Sequence, residues 1–116
     1  MQNTELKKSK PHSLIGIVEY MPNSVVSKTI VHKTTGNICV YAFYAGEIIE
    51  EKISPFDTFI QIIDGKAEIF IEQDSTPLNT GEAIIIPAHT SHFIKANVMF
   101  KMISTIIKSG YEGSII

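Results

Sequence analysis

The segment that decides the fold is Gly81-Glu82-Ala83-Ile84-Ile85-Ile86-Pro87-Ala88-His89-Thr90-Ser91-His92-Phe93-Ile94-Lys95-Ala96-Asn97. The run of three isoleucines is β-branched and suits a strand that is covered on both faces. Pro87 cannot donate to a strand ladder, so pairing is predicted to end there. His92 then begins the next strand. An imidazole just beyond such a corner can face a cavity, where it can bind a metal, transfer a proton or form hydrogen bonds.

The length and composition indicate one globular domain. The chain has 116 residues, of which 44% are hydrophobic and 19% are charged, so a single core is expected. Its apolar runs are too short to span a bilayer, and no membrane partner is predicted. The net charge of -2 with dispersed lysines gives no basic stripe, which argues against a nucleic-acid partner.

The N-terminal residues predict an arm and a location. Residues 1–12 are polar and rich in lysine, and we expect a flexible arm followed by one domain over residues 13–116. No apolar segment of signal-peptide length follows the first lysines, so a cytoplasmic protein is expected. Leu14–Tyr20 fits a short helix or a strand equally well. Cys39 is the single cysteine, which excludes an internal disulfide and predicts a buried thiol.

Short strand-like runs separated by turns follow from Ser24 onward. Gly36-Asn37 and Asp64-Gly65 are predicted to be hairpin turns, and residues 73–80 a polar connection. This pattern, without a convincing long helix, predicts an all-β sandwich or a small barrel, and it does not separate a jelly roll from an immunoglobulin-like sandwich. The predicted strands are Val25–Val31, Ile38–Tyr44, Glu47–Ser54, Thr58–Ile63, Lys66–Glu72, Gly81–Pro87 and up to two within His92–Ile107.

The opening segment resembles the second motif of the cupin family. That motif runs glycine, five residues, proline, one residue, glycine, two residues, histidine, three residues, asparagine. Gly81, Pro87 and His92 match it. The inner glycine of the motif is His89 in this chain, and its asparagine position falls on Ala96.

The first cupin motif runs glycine, five residues, histidine, one residue, histidine, three or four residues, glutamate, six residues, glycine. It fits this chain without a gap, with Gly46 and Gly65 on its two glycines. Lys52 and Ser54 then occupy the histidine positions, and Thr58 occupies the glutamate position.

The two motifs together cover about residues 24–107. The resemblance is to the small single-domain cupin family (cupin 2, conserved barrel). It implies an all-β, cupin-type double-stranded β-helix, that is, a jelly-roll barrel.

In cupins the two histidines, the glutamate and the equivalent of His92 hold a divalent metal. Here only His92 remains, because a protonated Lys52 cannot bind a metal and the hydroxyls of Ser54 and Thr58 are weak ligands. We therefore expect no cofactor. We expect instead that a small molecule binds at Lys52, Ser54, Thr58 and His92, and the exchange of metal ligands for an ammonium and hydroxyls favours an anion.

Other interpretations stay open, and so does the question of catalysis. The alternative function is a metal-dependent cupin enzyme, a dioxygenase or isomerase, that holds a divalent metal through His92 and a displaced histidine. A third is a structural or regulatory dimer with a filled cavity. Lys52 could also direct its ammonium to water, and Ser54 and Thr58 could simply fill space. His12, His32 and His89 are predicted to face solvent.

Two further predictions concern packing. The strands Ile38–Tyr44 and Thr58–Ile63 carry apolar groups on both faces, and a small barrel buries only one face, so a homodimer is expected. Because the motif puts Thr58 inside, Ile60 and Ile62 should also face the interior, with Phe59 and Ile63 outside.

Overall fold

The computed structural model describes residues 5–110, which form eight β-strands and no helix. The all-β prediction is therefore confirmed for this part of the chain. Within it, no helix is long and apolar enough to cross a membrane. The strands are β1 Val25–Lys33, β2 Gly36–Phe43, β3 Ile48–Ile53, β4 Thr58–Ile71, β5 Asp74–Asn79, β6 Ala83–Ile86, β7 Ser91–Lys95 and β8 Phe100–Ile107.

The strands build two antiparallel sheets that share β4. The first sheet has the order β1-β2-β8-β4-β6, and the second has the order β5-β4-β7-β3. The N-terminal half of β4 pairs with β6 and β8, whereas its C-terminal half pairs with β5 and β7. The inner faces of both sheets enclose one hydrophobic core, in which the rings of Phe43 and Phe100 stack with their centroids 4.4 Å apart.

The predicted hairpin at Asp64-Gly65 is wrong, because β4 continues through both residues. The pairing with β8 shifts between Ile62 and Asp64, so this position is a bulge at which the strand passes from one sheet to the other. Gly65 has a φ of +74°, and a Cβ atom there would overlap the carbonyl oxygen of Met99. The glycine is needed for this bulge and for the close approach of β8, and not for a turn.

The hairpin turn after β4 lies at Glu72-Gln73. These residues have positive φ angles of 49° and 77°, as a two-residue type I′ turn requires. Residues 73–80, predicted to be a connection, are mostly strand β5. Pro77 is tolerated within β5 because that strand pairs on one side only, with β4. Because the residues of β5 are mostly polar, their sequence did not indicate a strand.

The first hairpin exists, but its turn lies two residues earlier than predicted. Lys33 pairs with Gly36, so the turn residues are Thr34 and Thr35. Gly36 and Asn37 belong to β2, where they pair with the end of β8.

The predicted register of β4 is confirmed. Ile60 and Ile62 are 2% and 0% exposed within the main core. Phe59, on the opposite face, is 40% exposed. Ile63 packs on the outer face of the first sheet, against a small cluster around Val18.

That cluster explains the role of Leu14–Tyr20, which forms turns rather than a helix or a strand. Val18 is buried against the outer face of the first sheet. The Tyr20 hydroxyl donates to the Asp64 carboxylate at 2.6 Å, and the Lys101 ammonium donates to the Ile15 carbonyl at 2.6 Å. Residues 13–20 thus cover part of that face.

The predicted arm contacts the barrel where the structure describes it. The Leu6 amide donates to the Ile30 carbonyl of β1 at 3.3 Å, and the His32 amide donates to the Glu5 carboxylate at 2.5 Å. Residues 1–4 of the arm and residues 111–116 of the predicted domain lie outside the described residues. The flexibility of the arm and the domain bounds remain predictions.

Candidate functional site

A cavity of about 100 Å³ lies between the two sheets. Strands of both sheets and the loop after β3 contribute to it. Its apolar lining residues are Ile49, Ile60, Ile94, Met102 and Ile106, and its polar lining residues are Tyr41, Lys52, Ser54, Thr58, His92 and Ser104.

The four residues singled out by the motif spacing all line this cavity. Lys52 of β3 pairs with His92 of β7, and residues directly opposite one another in a ladder project to the same face. Ser54 follows β3, and Thr58 begins β4 after the Pro55-Phe56-Asp57 bend. The motif spacing therefore corresponds to a position in space, because it brings side chains from β3, the loop after it, β4 and β7 to one cavity.

His92 is 9% exposed and has one hydrogen bond. Its Nδ1 lies 3.3 Å from the Thr90 carbonyl oxygen. A carbonyl can only accept, so Nδ1 carries the proton. In the neutral ring, Nε2 then offers a lone pair, and within the described chain it has no hydrogen-bond partner.

The other three motif residues offer hydrogen-bond donors. The Ser54 Oγ accepts the Phe56 amide at 3.1 Å, which leaves its O–H available to a ligand. Thr58 is 6% exposed, and its hydroxyl forms no hydrogen bond to residues 5–110. Lys52 is exposed at the cavity rim, and its ammonium has no carboxylate partner in the same part of the chain.

Sequence reasoning missed two polar lining residues, Tyr41 and Ser104. Burial raises the pKa of the Tyr41 phenol, and the nearby Cys39 raises it further. The phenol therefore stays a neutral hydroxyl. Ser104 is 7% exposed and has no hydrogen-bond partner among the described residues. The alternation in β2 groups Tyr41 with Cys39 and Phe43, but both alternate sets are apolar or aromatic, so the pattern does not reveal which one faces inward.

Cys39, predicted to be a buried thiol, is only partly buried. Its Sγ lies 3.9 Å from the Thr29 Oγ1 on the neighbouring strand.

The lining residues do not fit a divalent metal. One imidazole, three aliphatic hydroxyls, one neutral phenol and an ammonium give a single good ligand, whereas metal sites of this kind use several imidazoles or carboxylates. Among residues 5–110, no group of three His, Cys, Asp or Glu side chains could hold a metal.

The remaining histidines have other roles. His89, at the motif's inner glycine position, is exposed with a φ of 63°, and its amide donates to the Ser54 carbonyl at 2.6 Å. The histidine thus adopts the left-handed conformation that glycine would favour. His32 is exposed as predicted. His12 lies near the Lys7 carbonyl, with its Nε2 at 2.9 Å.

Solved structures share this fold over most of the chain, although the sequence matches no family profile and no curated protein. A conserved protein of unknown function from Streptococcus pyogenes is 27% identical, with a TM-score of 0.85 over 93% of this chain and 95% of that one. A cupin superfamily protein from Desulfitobacterium hafniense is 25% identical, with a TM-score of 0.83 over 92% and 98%. A cupin 2 conserved barrel domain protein from Leptotrichia buccalis is 25% identical, with a TM-score of 0.79 over 81% of this chain and 46% of that one.

Proposed function

Because this chain is a small cupin-family protein with the all-β cupin fold, we propose that its barrel binds a small anionic molecule in place of the metal. The observation that carries the proposal is that Lys52 lines the cavity together with four hydroxyl-bearing side chains and His92. No carboxylate lines the cavity formed by the described residues.

The charge balance supports an anion over a cation. An ammonium at a partly enclosed site is stabilised by a nearby negative group. A bound carboxylate or phosphate would provide that group, and the O–H donors of Ser54 and Thr58 would orient it. A divalent cation would instead be repelled by Lys52 and would find one imidazole as its only strong ligand.

Replacing Lys52 by alanine is expected to weaken the binding of small carboxylates by about tenfold or more, since hydrogen bonds to charged groups contribute about 1.5–3 kcal/mol. Isothermal titration calorimetry with small carboxylates, phosphate, and Mn²⁺ or Zn²⁺ would measure this. Lys66→Ala is the matched control, because Lys66 is exposed on β4 and does not line the cavity. Anion binding that is indifferent to Lys52 would contradict the proposal, and tight metal binding by the wild type would favour a metal-dependent enzyme.

We also propose that the protein forms a homodimer through the outer face of the first sheet. One row of side chains crosses all five strands of that sheet, and cross-strand pairing places its members side by side on one face. The row consists of Ile85, Phe59, Thr105, Ile38 and Val31. Ile85 and Phe59 are 60% and 40% exposed. Residues 13–20 cover a different part of the face, around Val18. A second copy could cover the row through a two-fold interface.

A charge in this row is expected to dissociate the dimer. Ile85→Lys would bury an unpaired ammonium in the interface, which is strongly unfavourable. Light scattering at micromolar concentration should give a dimer mass for the wild type and a monomer mass for this variant. Ile53→Lys is the control, since Ile53 is 67% exposed and lies on the second sheet. A monomeric wild type at every concentration would refute the proposal.

A further inference from the structure

The polar atoms of the cavity differ in what they can offer a ligand. Lys52, Ser54 and Thr58 can each donate a hydrogen bond. The Nε2 of His92, in contrast, can only accept while the Nδ1 proton is held by the Thr90 carbonyl. A plain carboxylate consists of acceptors, so it would satisfy the donors and leave this nitrogen without a partner.

His92 Nε2 must be accessible from the cavity. No buried side-chain nitrogen or oxygen in residues 5–110 lacks a hydrogen-bond partner. Because Nε2 has no such partner, it is not sealed within the protein, and the cavity is the space that this otherwise buried ring lines. The same reasoning applies to Thr58 and Ser104. Both residues are largely buried and line the cavity, and because their hydroxyls have no partner among the described residues, those hydroxyls must also be accessible from the cavity.

Lys52 and His92 are neighbours in the cavity wall. They are directly paired across β3 and β7, and such residues have Cβ atoms about 5 Å apart. A small ligand that contacts both side chains would carry its negative group and its hydrogen-bond donor close together.

We infer that the ligand is a short 2-hydroxycarboxylate, whose carboxylate pairs with Lys52 and whose hydroxyl donates to His92 Nε2. This inference rests on the proposed function and specifies its ligand class. The carboxylate also accepts hydrogen bonds from Ser54 and Thr58. The aliphatic end of the acid contacts the apolar lining residues, including Ile60 and Ile94.

The size of the cavity limits the length of that acid. At about 100 Å³, the cavity is smaller than a dry cavity of about 150 Å³ that holds benzene. Benzene has about six non-hydrogen atoms, so an acid of at most about this size, such as lactate, is the longest that the cavity is expected to take.

The test compares lactate with propionate, which lacks only the hydroxyl, and with 3-hydroxypropionate, which carries it one carbon further away. Titrations are followed by NMR at about pH 8, where free imidazole is mostly neutral. The wild type is expected to bind lactate about five times more tightly than either other acid, as one hydrogen bond allows. His92→Phe is expected to reduce this preference to about one, whereas Lys52→Ala should weaken all three acids similarly.

Each outcome separates the inference from the proposed function. If all three acids bind equally well to the wild type, the hydroxyl assignment is overturned and anion binding stands. If none of them binds but phosphate does, the hydroxycarboxylate assignment is overturned and anion binding stands; if phosphate does not bind either, both are overturned. A lactate preference that persists in folded His92→Phe would overturn the role of His92. Should that variant not fold, ¹⁵N NMR of the wild-type ring decides the assignment: a proton on Nε2 instead of Nδ1, or no response of Nε2 to lactate, would overturn it.

Discussion

Replacing Gly65 by alanine is expected to lower the free energy of unfolding by about 2–5 kcal/mol, the sum of a left-handed backbone penalty and a steric clash. The new methyl group would meet the Met99 carbonyl oxygen and would lie 3.0 Å from the Phe100 Cα. Both are backbone atoms of the segment that leads into β8, so no side-chain rotation can relieve the overlap. Urea denaturation at one fixed protein concentration would measure the loss.

Gly81→Ala separates the two parts of this effect. Gly81 also has a positive φ, +91°, but nothing lies within 4 Å of the position of an added Cβ. Its replacement should therefore cost only the backbone penalty, about 1–2 kcal/mol. Equal losses for the two variants would show that the backbone moves to relieve the clash at Gly65. The close approach of β8 would then not add to the free-energy cost of the substitution.

Replacing Ile62 by alanine is expected to lower the free energy of unfolding by about 2–4 kcal/mol, through lost burial and the cavity left behind. Ile62 is fully buried in the core that also contains Phe43, Leu78 and Phe100. These neighbours belong to different strands, so collapse around the missing atoms would require several of them to move. The measurement is again urea denaturation.

Ile53→Ala is the matched control for Ile62. It removes the same atoms from an isoleucine in a β-strand, but the side chain is 67% exposed. A change within about 0.5 kcal/mol is expected for such a surface position. If the two substitutions had the same effect, Ile62 would not contribute to the core in the way that its burial indicates.

The inner face of β4 was predictable because the cupin motif puts Thr58 inside, and alternation along a strand then puts Ile60 and Ile62 on the same face. The apolar pattern alone did not distinguish the two faces, since both carry apolar side chains. The hairpin after β4 was misplaced because Asp64-Gly65 has the composition of a two-residue turn, whereas Glu72-Gln73 does not. At Gly65, a contact distant in sequence determines the backbone, and such a contact leaves no local pattern.

The part of the site that was predictable consists of the residues whose place in the cavity follows from the motif spacing alone. Lys52 and Thr58 are not the residue types of the family motif, yet they lie at its histidine and glutamate positions and line the cavity. Tyr41 and Ser104 belong to no motif, and they join the cavity only because the first sheet folds over the second. Sequence patterns report which strand faces are apolar, but they do not report which residues meet across a barrel.

The sharing of β4 between the two sheets has a thermodynamic consequence. Neither sheet can separate from the other without breaking the pairing of β4 with strands on both sides of its bulge, so the two sheets form one cooperative unit. The edge strand β3 is different, because it pairs only with β7 and its register shifts between Ile49 and Lys52. It can open locally while the shared strand holds the rest. Lys52 thus stands on an edge strand whose local opening would widen the path of a ligand into the cavity.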